Sequence, residues 1–151
     1  MKFKYFLTSF LVLGLTACGS SDDEPVGDPL GLNGSWISNC YLGNFSESII
    51  DTFDYSGLNF SSTSKVYPNS TCSGSPKSTD AVTGKIEIGN EITTGSGLTA
   101  TEVKFTFELR GSTLEVHDII SLTGDEYLFG VFDTGEVYPT ELDFDIILSR
   151  Q

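Results

Sequence analysis

Basic residues are scarce in this chain: 8 Lys and Arg stand against 21 Asp and Glu, for a formal charge of −13. So negative a surface repels nucleic acid and anionic head groups, which excludes a nucleic-acid partner. Histidine occurs once, at His117. That leaves neither the three or four ligands of a zinc site nor a base beside a nucleophile. A glycine-rich phosphate loop is also missing. Carboxylate pairs do occur, Asp51 with Asp54 and Asp143 with Asp145, but any strongly acidic chain offers such pairs by number alone. No enzyme activity, metal or cofactor is therefore expected. Long apolar runs are absent too, since Phe6 to Leu15 falls well short of the roughly 20 residues a membrane-spanning helix needs.

Cysteine is the next scarcity, with 3 in the chain, and the three have separate roles. Lys2 and Lys4 open a positive start, Phe6 to Leu15 follows as an apolar segment, and Leu15-Thr16-Ala17-Cys18 closes it. That order of Leu, small, small, Cys resembles the bacterial lipobox. The resemblance implies that residues 1–17 are a lipoprotein signal peptide and that Cys18 is acylated on its sulfur and on its new amino terminus. The protein is then expected in the bacterial cell envelope, held to a membrane through its N-terminal lipid without crossing it. Each buried methylene contributes about 0.8 kcal/mol to such an anchor. Gly19 stands where a Gram-negative inner-membrane lipoprotein carries Asp, which implies the outer membrane. Loss of Lys2 and Lys4 leaves 6 basic residues against 21 acidic ones, moving the charge from −13 to −15.

With Cys18 taken by lipid, Cys40 and Cys72 remain as an even pair in an oxidising compartment, and a disulfide between them is expected. The chain-entropy model assigns its loop about 4 kcal/mol.

Residues 18–31 are Gly, Ser, Asp, Pro and Glu with few apolar side chains, and read as a lipidated flexible tether. Residues 32–151 then read as one domain. Helical periodicity is missing, and turn residues recur at the spacing of an all-β fold. Strands are expected at Trp36 to Tyr41, Ser48 to Tyr55, Leu58 to Tyr67, Thr83 to Ile88, Val103 to Arg110, Leu114 to Ile120, Tyr127 to Asp133 and Leu142 to Ser149. Gly89-Asn90 is expected to turn the chain. In the last strand Phe144, Ile146 and Leu148 form the apolar face. Eight sequential strands with short turns fit an antiparallel up-and-down β-barrel, with a β-sandwich as the alternative. His117 and Asp118 interrupt a strand whose core side is marked by Leu114, Val116, Ile120 and Leu122, so His117 reads as a surface residue and the pair as straddling a bulge.

Gly34-Ser35-Trp36 on the first strand resembles the G-x-W signature of the lipocalin-like (calycin) barrels. The resemblance implies that Trp36 closes the barrel floor and that Arg150, just after the last strand, packs across its ring. Thr123, Asp125 and Tyr127 resemble the second lipocalin signature with loosened spacing. It also implies a binder of a small apolar molecule, lined by Phe53, Phe60, Phe105, Phe107, Tyr127 and Phe132, although the same rings could simply fill the core. The alternative is a protein-interaction module or inhibitor in the envelope that uses its acidic surface against a basic protein. Its loops Pro68 to Asp80 and Glu91 to Ala100 would then carry the contact.

Overall fold

The computed structural model describes residues 27–43, 46–131 and 137–151. Cys18, most of the tether and Phe132 lie outside the described residues. The strands are β1 Gly34–Ser38, β2 Tyr41–Leu42, β3 Ser48–Ser56, β4 Asn59–Tyr67, β5 Ser78–Thr93, β6 Thr99–Leu109, β7 Ser112–Thr123, β8 Glu126–Gly130 and β9 Leu142–Arg150, with no helix among the described residues. Sequential strands from β3 to β9 pair antiparallel with their neighbours, and β1 pairs with both β9 and β3. That double pairing removes the free edges a sandwich would keep. The short β2 extends the line of β1 along β3, so the wall is a closed barrel of eight strands with β2 as an extra piece.

Local chemistry explains the turns and interruptions. Arg110 and Gly111 have φ of 53° and 80°, the left-handed pair that a two-residue type I′ hairpin requires. The first strand was expected to run through to Tyr41, but it breaks at Asn39. There the side-chain amide takes over the ladder, donating from Nδ2 to the Asp145 carbonyl and accepting at Oδ1 from the Ile147 N–H.

Gly89-Asn90 is a bulge rather than the expected turn. The register with β6 passes from Ile88↔Val103 to Glu91↔Thr101, one residue more on β5. Because side chains alternate between faces, one extra residue moves every later side chain to the other side. Ile92 therefore joins Ala100, Ile119, Leu128 and Leu142 in a small second core on the outer wall, while Ile86 faces the interior. With the bulge absorbed, β5 is far longer than the expected Thr83 to Ile88, and Ser78 to Asp80 and Glu91 to Thr93 are strand rather than loop.

The β8–β9 ladder carries a larger irregularity, passing from Leu128↔Ile147 to Gly130↔Leu142. The intervening Asp143 to Ile146 swing away from β8. Phe144, expected in the core, is 55 % exposed as a result. The pairing of β6 with β7 is regular from Thr101↔Ile120 to Leu109↔Ser112, so no bulge separates His117 from Asp118. His117 faces outward, its ring 4.7 Å from that of Tyr138, and Asp118 faces in.

The barrel floor is built on Trp36, which is fully buried. Burial of an indole contributes about 4 to 6 kcal/mol. Three consecutive carbonyls before β1 are each claimed. Arg150 donates to the Gly31 and Asn33 oxygens at 2.8 and 2.6 Å, and Trp36 Nε1 donates to the Leu32 oxygen at 2.7 Å. The Arg150 guanidinium carbon lies 4.2 Å from the Trp36 ring centroid. Asp28 accepts from the Leu32 and Asn33 N–H groups, and Leu30 packs on the core, so ordered packing reaches back before Leu32. Above Trp36 sits Tyr127, edge-on at 5.0 Å, and the Tyr127 and Tyr55 hydroxyls meet at 3.1 Å.

Cys40 and Cys72 form a disulfide with Cα atoms 5.9 Å apart. It ties the break after β1 to the β4–β5 loop. The buried Ser48 hydroxyl donates to the Asn69 carbonyl and accepts from the Cys72 N–H, so the loop is held beside its bridge as well as by it.

Two outcomes test this account. Arg150→Ala strands the Gly31 and Asn33 carbonyls and uncovers the indole, so unfolding in urea followed by Trp36 fluorescence should show a loss of about 2 to 3 kcal/mol. An unchanged midpoint would mean the floor closes without the guanidinium. Replacing Cys40 and Cys72 together by alanine should cost about 4 kcal/mol while leaving the far-ultraviolet β spectrum intact.

Candidate ligand-binding site

Alternation along β3 to β8 points a set of phenylalanines into the space above the floor. Phe53, Phe60, Phe105, Phe107 and Phe129 surround a chamber of about 220 Å³, completed by Val82, Val116, Ser62 and Asp118. The rings pack closely, Phe60 edge-on to Phe105 at 5.1 Å and Phe129 tilted against Phe53 at 5.4 Å between centroids. Such pairs contribute about 0.5 to 1.5 kcal/mol each beyond their buried area. Gly84 makes the closeness feasible, since a Cβ there would lie 2.8 Å from the Phe60 ring and 2.9 Å from Phe107 Cβ.

A second hollow, of about 390 Å³, adjoins the chamber and shares Phe53, Asp118 and Phe129 with it. Its other walls are Tyr41, Asp51, Gly130, Asp143, Ile146 and Leu148. It sits where β9 swings away from β8, so the ladder irregularity opens it. Tyr41 donates its hydroxyl proton to Asp51. Burial, and then that hydrogen bond, push the Tyr41 phenol above its ordinary range.

Asp118 stands at the junction of the two spaces and is only 7 % exposed. The β7–β8 ladder ends at Ile120↔Phe129, and the carboxylate replaces the next ladder position. Its Oδ1 accepts from the Ile119 and Gly130 N–H groups at 2.7 and 2.9 Å. Glycine is required opposite it, because a Cβ on Gly130 would lie 2.9 Å from Oδ1 and 2.4 Å from Pro139 Cβ. Burial raises the Asp118 carboxyl to about 7, against the opposing pull of the two backbone donors. Beneath the chamber, burial also raises the Tyr55 and Tyr127 phenols, so both stay neutral.

Of the residues expected to line a ligand, Phe53, Phe60, Phe105 and Phe107 are brought together around the chamber. Tyr127 is not a lining residue. It is fully buried in the floor against Trp36. Phe132 lies outside the described residues. Phe129 and Asp118 were not anticipated, although Asp118 falls on the same alternating positions as Leu114, Val116, Ile120 and Leu122. His117, on the opposite face of β7, takes no part.

The raised carboxyl makes a signed prediction. Between about pH 4 and 7 the folded state holds a proton on Asp118 that the unfolded chain has released, so that stabilisation is complete at low pH and is lost as pH rises through 7. Asp118→Asn keeps the Oδ1 acceptor without the charge. Relative to this variant, the wild type should lose on the order of a few kcal/mol in urea midpoints between pH 5 and 8. Parallel profiles for the two proteins would refute the assignment.

Against family models, curated proteins and solved structures alike the chain finds no match, so its geometry carries the functional argument.

Proposed function

We propose that the protein is a lipocalin-like lipoprotein that binds a small apolar molecule inside its barrel. The observation that carries this is the chamber itself: about 220 Å³ ringed by five phenylalanines above a sealed floor. Empty apolar space forfeits the dispersion contacts of its lining. A concave, mainly aromatic lining with a few polar groups suits an apolar guest. The lipobox-like Leu15-Thr16-Ala17-Cys18 supplies the second half of the reading, with the barrel tethered through acylated Cys18 to a membrane of the cell envelope, the outer membrane in a Gram-negative cell.

A second reading, an interaction module for a basic envelope protein, is favoured by one observation. Leu42 and Phe144 are 68 and 55 % exposed, and Leu42 lies with Asp143 and Asp145 around a further hollow on the outer wall. Apolar side chains rimmed by acids suit a cationic partner.

Mass spectrometry of the full-length protein taken from its own membrane separates these readings. Under denaturing conditions the mass should lack residues 1–17 and carry acyl groups. Under native conditions it should carry a further defined mass, which a folded Phe107→Trp variant with a filled chamber should lose. Equal native and denatured masses would overturn the small-molecule reading and favour the partner. A chain that keeps residues 1–17 would overturn the lipoprotein assignment.

A further inference from the structure

The geometry points to a cationic guest: a small molecule with one apolar ring for the phenylalanine chamber and a protonated amine for Asp118 at the chamber's junction with the outer hollow. This inference rests on the chamber being a binding site, and adds what kind of molecule it takes.

Four observations converge on it. First, Asp118 is 7 % exposed and lines both spaces, yet only Oδ1 is engaged. Among the described residues no hydrogen bond reaches Oδ2. A buried carboxylate with half its acceptor capacity unused is a poor structural device and a ready anchor. Secondly, among the described residues no cation compensates it. The ion pairs of the described residues use Lys77, Lys104 and Arg150, each with another acid, and no Lys, Arg or His lines either space.

Thirdly, among the described residues the other ionisable groups lining these spaces are acidic or neutral. Asp51 on β3 and Asp143 on β9 share its hollow, with the neutral Tyr41 phenol. The neutral Tyr55 and Tyr127 phenols lie beneath. Three carboxylates lining one hollow favour a cation there and disfavour a fatty acid or any other anionic amphiphile. Burial alone raises the Asp118 carboxyl, and the proton it retains stands where an ammonium would. Fourthly, the chamber is small. About 220 Å³ is below the roughly 300 to 1,000 Å³ of drug-sized sites, which limits the buried part to about one ring. The faces of Phe53 and Phe129, shared by both spaces, add cation–ring attraction at the junction.

The test is calorimetric titration of the full chain in nanodiscs at pH 8, with empty nanodiscs as the blank. Three probes of one shape are compared: 2-phenylethylamine, 2-phenylethanol and 3-phenylpropionate. The amine should bind at least about tenfold more tightly than the alcohol, the range of a charge-assisted hydrogen bond, and the carboxylate should not bind. In Asp118→Asn, whose fold is verified by its Trp36 fluorescence and far-ultraviolet spectrum, the preference for the amine should vanish. Equal binding of amine and alcohol, or a preference that survives in Asp118→Asn, would overturn the cationic guest while leaving an apolar binder. Failure of all three probes would overturn both.

Discussion

Closure of the barrel floor is the constraint on which the remaining features depend. The segment before β1 must end the barrel without leaving its backbone unpaired, and it does so by handing three successive carbonyls to two side chains. Trp36 takes the middle one and Arg150 the two beside it. The same guanidinium lies over the indole and reaches Asp125 in the β7–β8 turn. One cation thus joins the first strand, the last strand and the turn between its neighbours. With that end sealed by Trp36, Tyr127 and Tyr55, the apolar space above cannot drain through the bottom, and the phenylalanines face an interior instead of water.

The two departures from regular pairing do opposite work. In β5 a single extra residue reverses the faces of the strand and feeds Ile92 to an outer cluster, which fastens the Thr94 to Leu98 turn and the Tyr138 to Leu142 segment against the wall. In β9 a four-residue excursion leaves Phe129 of β8 without a partner on that side and opens the hollow lined by Asp118, Asp51 and Asp143. The ladder groups left over at Ile119 and Gly130 are satisfied by the Asp118 carboxylate. Its burial is therefore the consequence of a missing strand pairing, and its charge is the feature that makes the site chemically specific.

Much of this was legible in advance where alternation is strict. Val103, Phe105 and Phe107 announced the interior of β6, while the floor of Trp36 and Arg150 was expected from the resemblance of Gly34-Ser35-Trp36 to a barrel signature. Reading failed where register slips. Gly89-Asn90 has the composition of a turn, and only the shift from Ile88↔Val103 to Glu91↔Thr101 reveals a bulge. Phe144 sits in an alternating run, yet it is exposed because β9 leaves its neighbour there. Asp118 occupied an inward position all along, but a carboxylate in an apolar series looks like a break in the series until Gly130 is seen to need an acceptor.

The linear order of residues was enough to determine the eight-stranded barrel wall, the all-β class and the cysteine pair, because each depends on alternation, turn chemistry or count, which are local properties. Trp36 and Arg150 came from the resemblance to a barrel signature, and Tyr127 was placed in the floor only by the fold. The chamber, the outer hollow and the place of Asp118 between them were decided only by tertiary structure. They arise from which strands lose register against which neighbours, and register is a relation between segments far apart in the chain that no single stretch encodes.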